Sequence, residues 1–176
     1  MSNPFKHVKP VVPPMKVLEP IALRKLVFQH GKVMRATLKR LKQRPPRDLD
    51  EQFEKLHEKA FKQIDCLDCG NCCKTTSPIF RDIDVKRISK KMKTSTAEFE
   101  RNYLNIDGEG DWVLKSAPCC FLQDDNSCGI YDYKPQACGE YPHTDRKRVV
   151  QVLDLTLKNT EICPAVAFIG LELIKD

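Results

Sequence analysis

The sequence predicts an α+β fold, mostly α: a small cysteine-rich domain with short strands, stabilised by metal and preceded by an N-terminal helical extension. Three observations lead there. Apolar residues recur at intervals of three and four over long stretches, whereas strand-like runs are short. Nine cysteines fall in 176 residues, most of them closely spaced. The net charge of +6 is unevenly distributed. Residues 1–50 hold 12 Lys or Arg against 3 Asp or Glu, which is +9, and the other residues hold 18 against 21, which is −3. The division expected is therefore a basic, proline-rich arm and amphipathic helix over residues 1–47 and a metal-binding domain over 48–176.

A hydrophobic share of 41% with only 7% aromatics allows a core but not a large one. With 31% charged residues and a mean hydropathy of −0.46, a soluble chain is expected. No run of about 18 apolar residues exists, so no membrane-spanning helix is expected. Met1-Ser-Asn-Pro-Phe-Lys6 lacks the apolar segment of a secretory signal, which places the protein in a reducing cytoplasm. There, clustered cysteines bind metal or do redox chemistry more often than they form disulfides.

The elements follow in order. Pro4, Pro10, Pro13, Pro14 and Pro20 mark an extended arm. From Pro20, one helical face carries Leu23, Leu26, Val27, His30, Val33, Met34, Thr37, Leu38 and Leu41, and Pro45-Pro46 ends the helix. Asp48-Leu-Asp-Glu51 has the form of a capping box for a second helix through Ile64, with Phe53, Leu56, Ala60 and Ile64 inward. Short helices are expected over Asp84–Met92 and from Ser95-Thr-Ala-Glu98 to Leu104. Ile106-Asp-Gly-Glu-Gly-Asp111 reads as a hairpin turn. Trp112–Leu114 and Val149–Leu157 are the strand candidates, although the second alternates imperfectly. Pro164 opens an apolar C-terminal helix to Leu173.

Cys66-x2-Cys69 is a chelating pair, since two thiolates two residues apart can close round one ion and Gly70 turns the chain sharply. Cys72 repeats the spacing. Cys73 follows at once, and adjacent cysteines are poorly placed to share one tetrahedral ion. Cys119, Cys120, Cys128, Cys138 and Cys163 come later, with Pro118, Gly129 and Pro135 shaping the loops that present them. Cys163 precedes a helix start, where a negative sulfur is favoured. The donors are soft sulfur, which suits zinc, Cu(I) or iron–sulfur chemistry and not magnesium or calcium. Disulfides, a redox CxxC pair, or packed core cysteines are the alternatives. His143, five residues after Cys138, reads as structural.

The order of motifs resembles the CxxCxxCC, or YkgJ-type, cysteine-cluster family, described as zinc- or iron-chelating proteins. The resemblance rests on Cys66-x2-Cys69-x2-Cys72-Cys73, Asp84-Val-Lys-Arg-Ile88, Pro118-Cys-Cys-Phe-Leu122, Cys128-Gly-Ile-Tyr131, Lys134-Pro-Gln-Ala-Cys138 and Tyr141-Pro142, and it spans residues 60 to about 170. It implies metal ligands at Cys66, Cys69, Cys72, Cys73, Cys119, Cys128, Cys138 and Cys163. Eight thiolates suit two four-coordinate sites, or one cluster with some structural cysteines. Cys120 stands where the family has proline and is the expected non-ligand. Lys134 and Gly139 replace two arginines of the pattern. The C-x2-C-x2-C run is similar to ferredoxin-type spacing, so the cofactor expected is an iron–sulfur cluster ahead of zinc, in one or two sites.

The function expected is therefore a cysteine-ligated metal-binding protein, with metal ions as its partners and no assigned catalytic residue. A metal-dependent enzyme, an iron–sulfur oxidoreductase or transferase, is the alternative, because flagellin lysine methylases carry a similar cysteine region. Nothing in the chain resembles a Gly-rich loop for a methyl donor or nucleotide, and Asp84 and Glu140 stand as single acids. Nucleic acid or an anionic surface is a further candidate partner for the basic N-terminal helix. Against it stands a solvated charged face whose apolar side packs onto the domain. Calorimetric titration with S-adenosylmethionine is expected to show no binding; a clear isotherm would favour the enzyme.

Overall fold

The computed structural model describes residues 20–175, and the prolines of the predicted arm at positions 4 to 14 lie outside them. In chain order the elements are α1 (Pro20–Gln43), α2 (Leu49–Phe61), α3 (Cys66–Cys69), α4 (Asn71–Thr75), β1 (Ile79–Phe80), α5 (Asp82–Lys91), α6 (Thr96–Tyr103), β2 (Leu104–Ile106) and β3 (Trp112–Leu114). A 3₁₀ turn (Tyr131–Tyr133) leads to α7 (Gln136–Glu140), and a second (Val149–Val152) runs into α8 (Leu153–Asn159) and α9 (Pro164–Leu173). The protein is thus mostly helical with one small antiparallel sheet, the α+β class read from the sequence. The described residues form two compact units, one of residues 20–64 and 142–175, the other Asp65–Tyr141.

The first unit is a set of four helices, with α9 packed against α1, α2 and α8. Every residue of α9 but Glu172 is buried, as befits a helix that is apolar all round. The apolar stripe of α1 is Leu23, Val27, Met34 and Leu38, while Val33, expected on the same face, is 53% exposed. At Gly170 a Cβ would lie 2.6 Å from Met34 Sδ, so glycine lets the two helices approach. In α2, Phe53 and Ala60 are buried as expected, with Leu56 half-buried; the helix ends at Phe61, short of the expected Ile64, which is still buried.

Two local expectations fail here. Asp48 does not cap α2 through a backbone N–H; its carboxylate instead accepts a bond from the Gln52 side chain at 3.1 Å. Val149–Leu157 is not a strand. Val149, Leu153, Thr156 and Thr160 are buried at helical spacing, and the Asp50 carboxylate accepts the N–H groups of Arg148 (2.7 Å) and Val149 (2.9 Å), starting the helical path. The imperfect alternation was a helical period in disguise.

In the second unit the sheet order is β1-β3-β2, antiparallel throughout, with Phe80 opposite Trp112 and Leu104 opposite Leu114. The expected turn joins β2 to β3, where Asp107 Oδ1 accepts the N–H groups of Glu109 and Asp111 at 2.9 and 3.0 Å. Ser95 caps α6 through the Glu98 N–H at 3.2 Å, as its motif predicts. Phe80, Val85, Ile88, Phe99, Leu104, Leu114 and Ile130 form the core, and Cys119, Phe121 and Cys128 pack on its edge. Rings of Phe80, Phe99, Tyr103 and Phe121 pack on one another in this small core, and one-turn helices and a short hairpin around it carry the cysteines.

Glu172 is the one polar side chain on α9, and it ties α9 to α2. Burial opposes its charge, but hydrogen bonds from Lys175 and Lys59 (2.5 Å for the latter) outweigh it and hold the carboxyl below the usual glutamate range. A carboxyl with a lowered folded-state pKa stabilises above the unfolded value and loses that contribution as pH falls through the folded one. Glu172→Gln is expected to cost about 1 kcal/mol at neutral pH. In urea melts across pH, the gap from wild type should close below pH of about 4. A gap that persists in acid would contradict the ion pairs.

Candidate metal centre

Three parts of the Asp65–Tyr141 unit carry seven of the eight expected ligands, all but Cys163. Cys66 and Cys69 begin and end α3, a single turn capped by Asp65, whose carboxylate accepts the Leu67 N–H at 2.8 Å. Gly70 then takes the left-handed conformation at φ 57°, as its sequence position required. A side chain there would be crowded as well as strained, since a Cβ would stand 3.1 Å from Asn126 Oδ1. The reversal starts α4, on which the Cys72 and Cys73 sulfurs lie 4.0 Å apart.

Cys119 and Cys128 flank a small hairpin. Leu122 bridges Cys128, the Gly129 N–H donates to Phe121 O at 2.8 Å, and the Gln123 N–H donates to Ser127 O at 2.9 Å. Two bonds staple this hairpin to the first cysteine segment. The Cys119 N–H donates to Cys73 O at 2.7 Å, and Asn126 Nδ2 donates to Asp68 O at 3.0 Å.

Cys138 sits on α7, and Asp84 positions that helix. The Asp84 side chain is fully buried and accepts the Gln136 N–H at 3.1 Å, at the first residue of α7, and the Arg81 N–H at 3.2 Å. Arg87 clasps the same carboxylate at 2.6 Å and donates to Lys134 O at 2.8 Å. Asp84 therefore holds the Lys134-Pro135-Gln136 turn in place.

The sulfurs from these segments sense one another. Burial, then the charges of Cys69, Asp65 and Cys73, push the Cys66 thiol up. Burial raises Cys138 to about 12, with Cys73, Cys119 and Cys128 adding to it. Burial also raises Cys128, near Cys119 and Cys73. Two thiols go the other way. A hydrogen bond from Cys72 holds Cys73 at about 7, and one from Cys120, helped by the N–H groups of Phe121 and Leu122, holds Cys119 at about 6. Cys120, donating that bond, keeps its proton to far higher pH. Lys134, its ammonium 3.5 Å from the Tyr131 ring centre, is the cation that eases the negative charge at Cys66, Cys128 and Cys138.

No two of the nine cysteines are bonded to each other. Among the described residues, no three Cys, His, Asp or Glu groups stand close enough together to clasp one ion. The donors still suit a soft metal: all are sulfur, and the two lowered thiols supply thiolate near neutrality. The structure places Cys66, Cys69, Cys72, Cys73, Cys119, Cys128 and Cys138 in this unit and Cys163 at the N-cap of α9 in the other.

The sequence profile of the CxxCxxCC family, described as "Putative zinc- or iron-chelating domain", matches residues 65–164, more than half of the chain. The chain belongs to the CxxCxxCC family. No curated protein and no solved structure gave a match. The CxxCxxCC motif itself accounts for α3, Gly70 and α4. Sequence reasoning missed what holds the CxxCxxCC cysteines from outside. Asp84 looked like a lone solvated or capping acid, yet it also pins α7 from 52 residues away. Asn126 was not singled out. Arg87, three residues after Asp84, was the available clue, since a nearby cation lets a carboxylate be buried.

Asp84→Ala would leave the Arg87 guanidinium and the Gln136 N–H without their buried acceptor. A loss of roughly 2–4 kcal/mol in chemical denaturation is expected, along with weaker metal retention on dialysis against a chelator. Wild-type stability and retention in this variant would show that the clamp is dispensable.

Proposed function

We propose that this CxxCxxCC protein holds an iron–sulfur cluster through thiolates of the Asp65–Tyr141 unit and acts as a metal-binding protein, in storage, delivery or electron transfer. One observation carries the proposal: the Cys119 N–H to Cys73 O bond (2.7 Å) and the Asn126 Nδ2 to Asp68 O bond (3.0 Å) tie the Cys119–Cys128 hairpin to the Cys66–Cys73 segment. The C-x2-C-x2-C run of Cys66, Cys69 and Cys72 adds ferredoxin-like spacing. When bound, such a cluster supplies one-electron chemistry.

The residues divide the work. Cys73 and Cys119 offer thiolate near neutral pH, so they are the first donors to a metal. Cys66, Cys128 and Cys138 stay protonated until a cation offsets their burial, and their loading releases protons. Lys134 limits the negative charge that builds up as they ionise. Cys120 acts through its hydrogen bond to Cys119 and not as a ligand. Zinc is the second reading, favoured by the family's description as zinc- or iron-chelating.

Anaerobic purification with elemental analysis and an absorption spectrum separates the two. Brown protein with iron and sulfide is expected; colourless protein with one or two zinc ions would replace the cluster by structural zinc. Cys69→Ser and Cys128→Ser should each strip metal and lower the melting temperature, while Cys120→Ser keeps both. Unchanged metal content in the first two variants would overturn the ligand assignment.

A further inference from the structure

The exposed side of α1 is a strip of uncompensated positive charge. Residues 20–47 contain nine Lys or Arg and no Asp or Glu. Arg24, Lys25, Lys32, Arg35, Lys39 and Lys42 all lie within one arc of the helix, beside the buried stripe of Leu23, Val27, Met34 and Leu38 and separate from it. All six are exposed, and among the described residues only Lys42 is ion-paired, to Asp154 at 2.5 Å. Phe28 lies in the middle of the arc with 90% of its surface exposed. From Arg24 to Lys42 the strip runs about 27 Å at 1.5 Å per residue.

We propose that this face of α1 docks on the phosphate backbone of a nucleic-acid duplex, independently of base sequence. Charge complementarity selects the occupant. A duplex presents a phosphate charge about every 1.7 Å of its axis, so a rigid row of cations meets several at once and releases their counterions. Lipid is disfavoured because a helix lying in a membrane surface inserts an apolar face, and the apolar face of α1 is already buried in its own unit. Phe28, Val33 and the terminal Ile21 are scattered round the helix and too little to replace it. The remaining cations point outward with no acid among them, as a surface for phosphates does and a surface of alternating ion pairs does not.

The test is fluorescence anisotropy with the full, metal-loaded chain and a labelled mixed-sequence duplex of about two helical turns, in DNA and in RNA form. Binding to at least one is expected, weakening between about 50 and 200 mM salt with a log–log slope of about −4 to −5 for five contacts. Lys32→Glu with Arg35→Glu should weaken it at least about tenfold and flatten the slope by about 2. The same charge change at Lys90 and Lys91, exposed at the end of α5, should leave it within about twofold if local contacts dominate. The proposal is overturned if neither duplex binds, if both double variants lose affinity equally, or if phosphatidylserine vesicles bind more tightly than either duplex.

Discussion

Thiolates repel one another, and the Asp65–Tyr141 unit carries seven candidate ligand sulfurs on one-turn helices and a short hairpin around a small core. That repulsion is the constraint on which the rest depends. Without a cation, burial and mutual charge keep Cys66, Cys128 and Cys138 protonated. The thiols that receive a hydrogen bond from their neighbour, Cys73 and Cys119, are lowered. Each Cys-Cys pair thus has one sulfur that donates, Cys72 or Cys120, and one that is held more readily as thiolate, Cys73 or Cys119. A metal ion reverses the balance for the whole group, because each thiolate it binds is then offset by positive charge.

The fold serves that constraint by holding loops that carry little hydrophobic weight of their own. Gly70 reverses the chain between α3 and α4, Cys119 and Asn126 staple the hairpin back to them, and Asp84 fixes α7 from α5. These are polar devices, each local and each dependent on one or two hydrogen bonds. The helical unit works differently. There α9 is buried almost completely, and stability comes from apolar packing of α1, α2 and α8 around it.

Much of this was legible in the sequence where the signal was local. The apolar periodicity of α1, Pro164 at the head of α9, the Ser95 cap and the Asp107–Asp111 turn all act within a few residues, and each formed as expected. The family pattern was legible for the same reason, as a chain of short motifs in fixed order. Two kinds of feature were not. Val149–Leu157 mimicked alternation because Val149, Leu153, Thr156 and Thr160 place their buried side chains at helical intervals that a period-two count partly overlaps. The Asp84–Gln136 and Asn126–Asp68 bonds join positions more than fifty residues apart, and nothing in either segment names its partner. Cys120 was singled out by its departure from a family pattern, and its hydrogen bond to Cys119 gives that departure a physical role.

The most direct test of thiolate ligation is X-ray absorption at the metal edge of the protein as purified under anaerobic conditions. A first shell of about four sulfur atoms near 2.3 Å is expected, with a metal–metal shell beyond it for a cluster. A first shell of nitrogen or oxygen near 2.0–2.2 Å would contradict it.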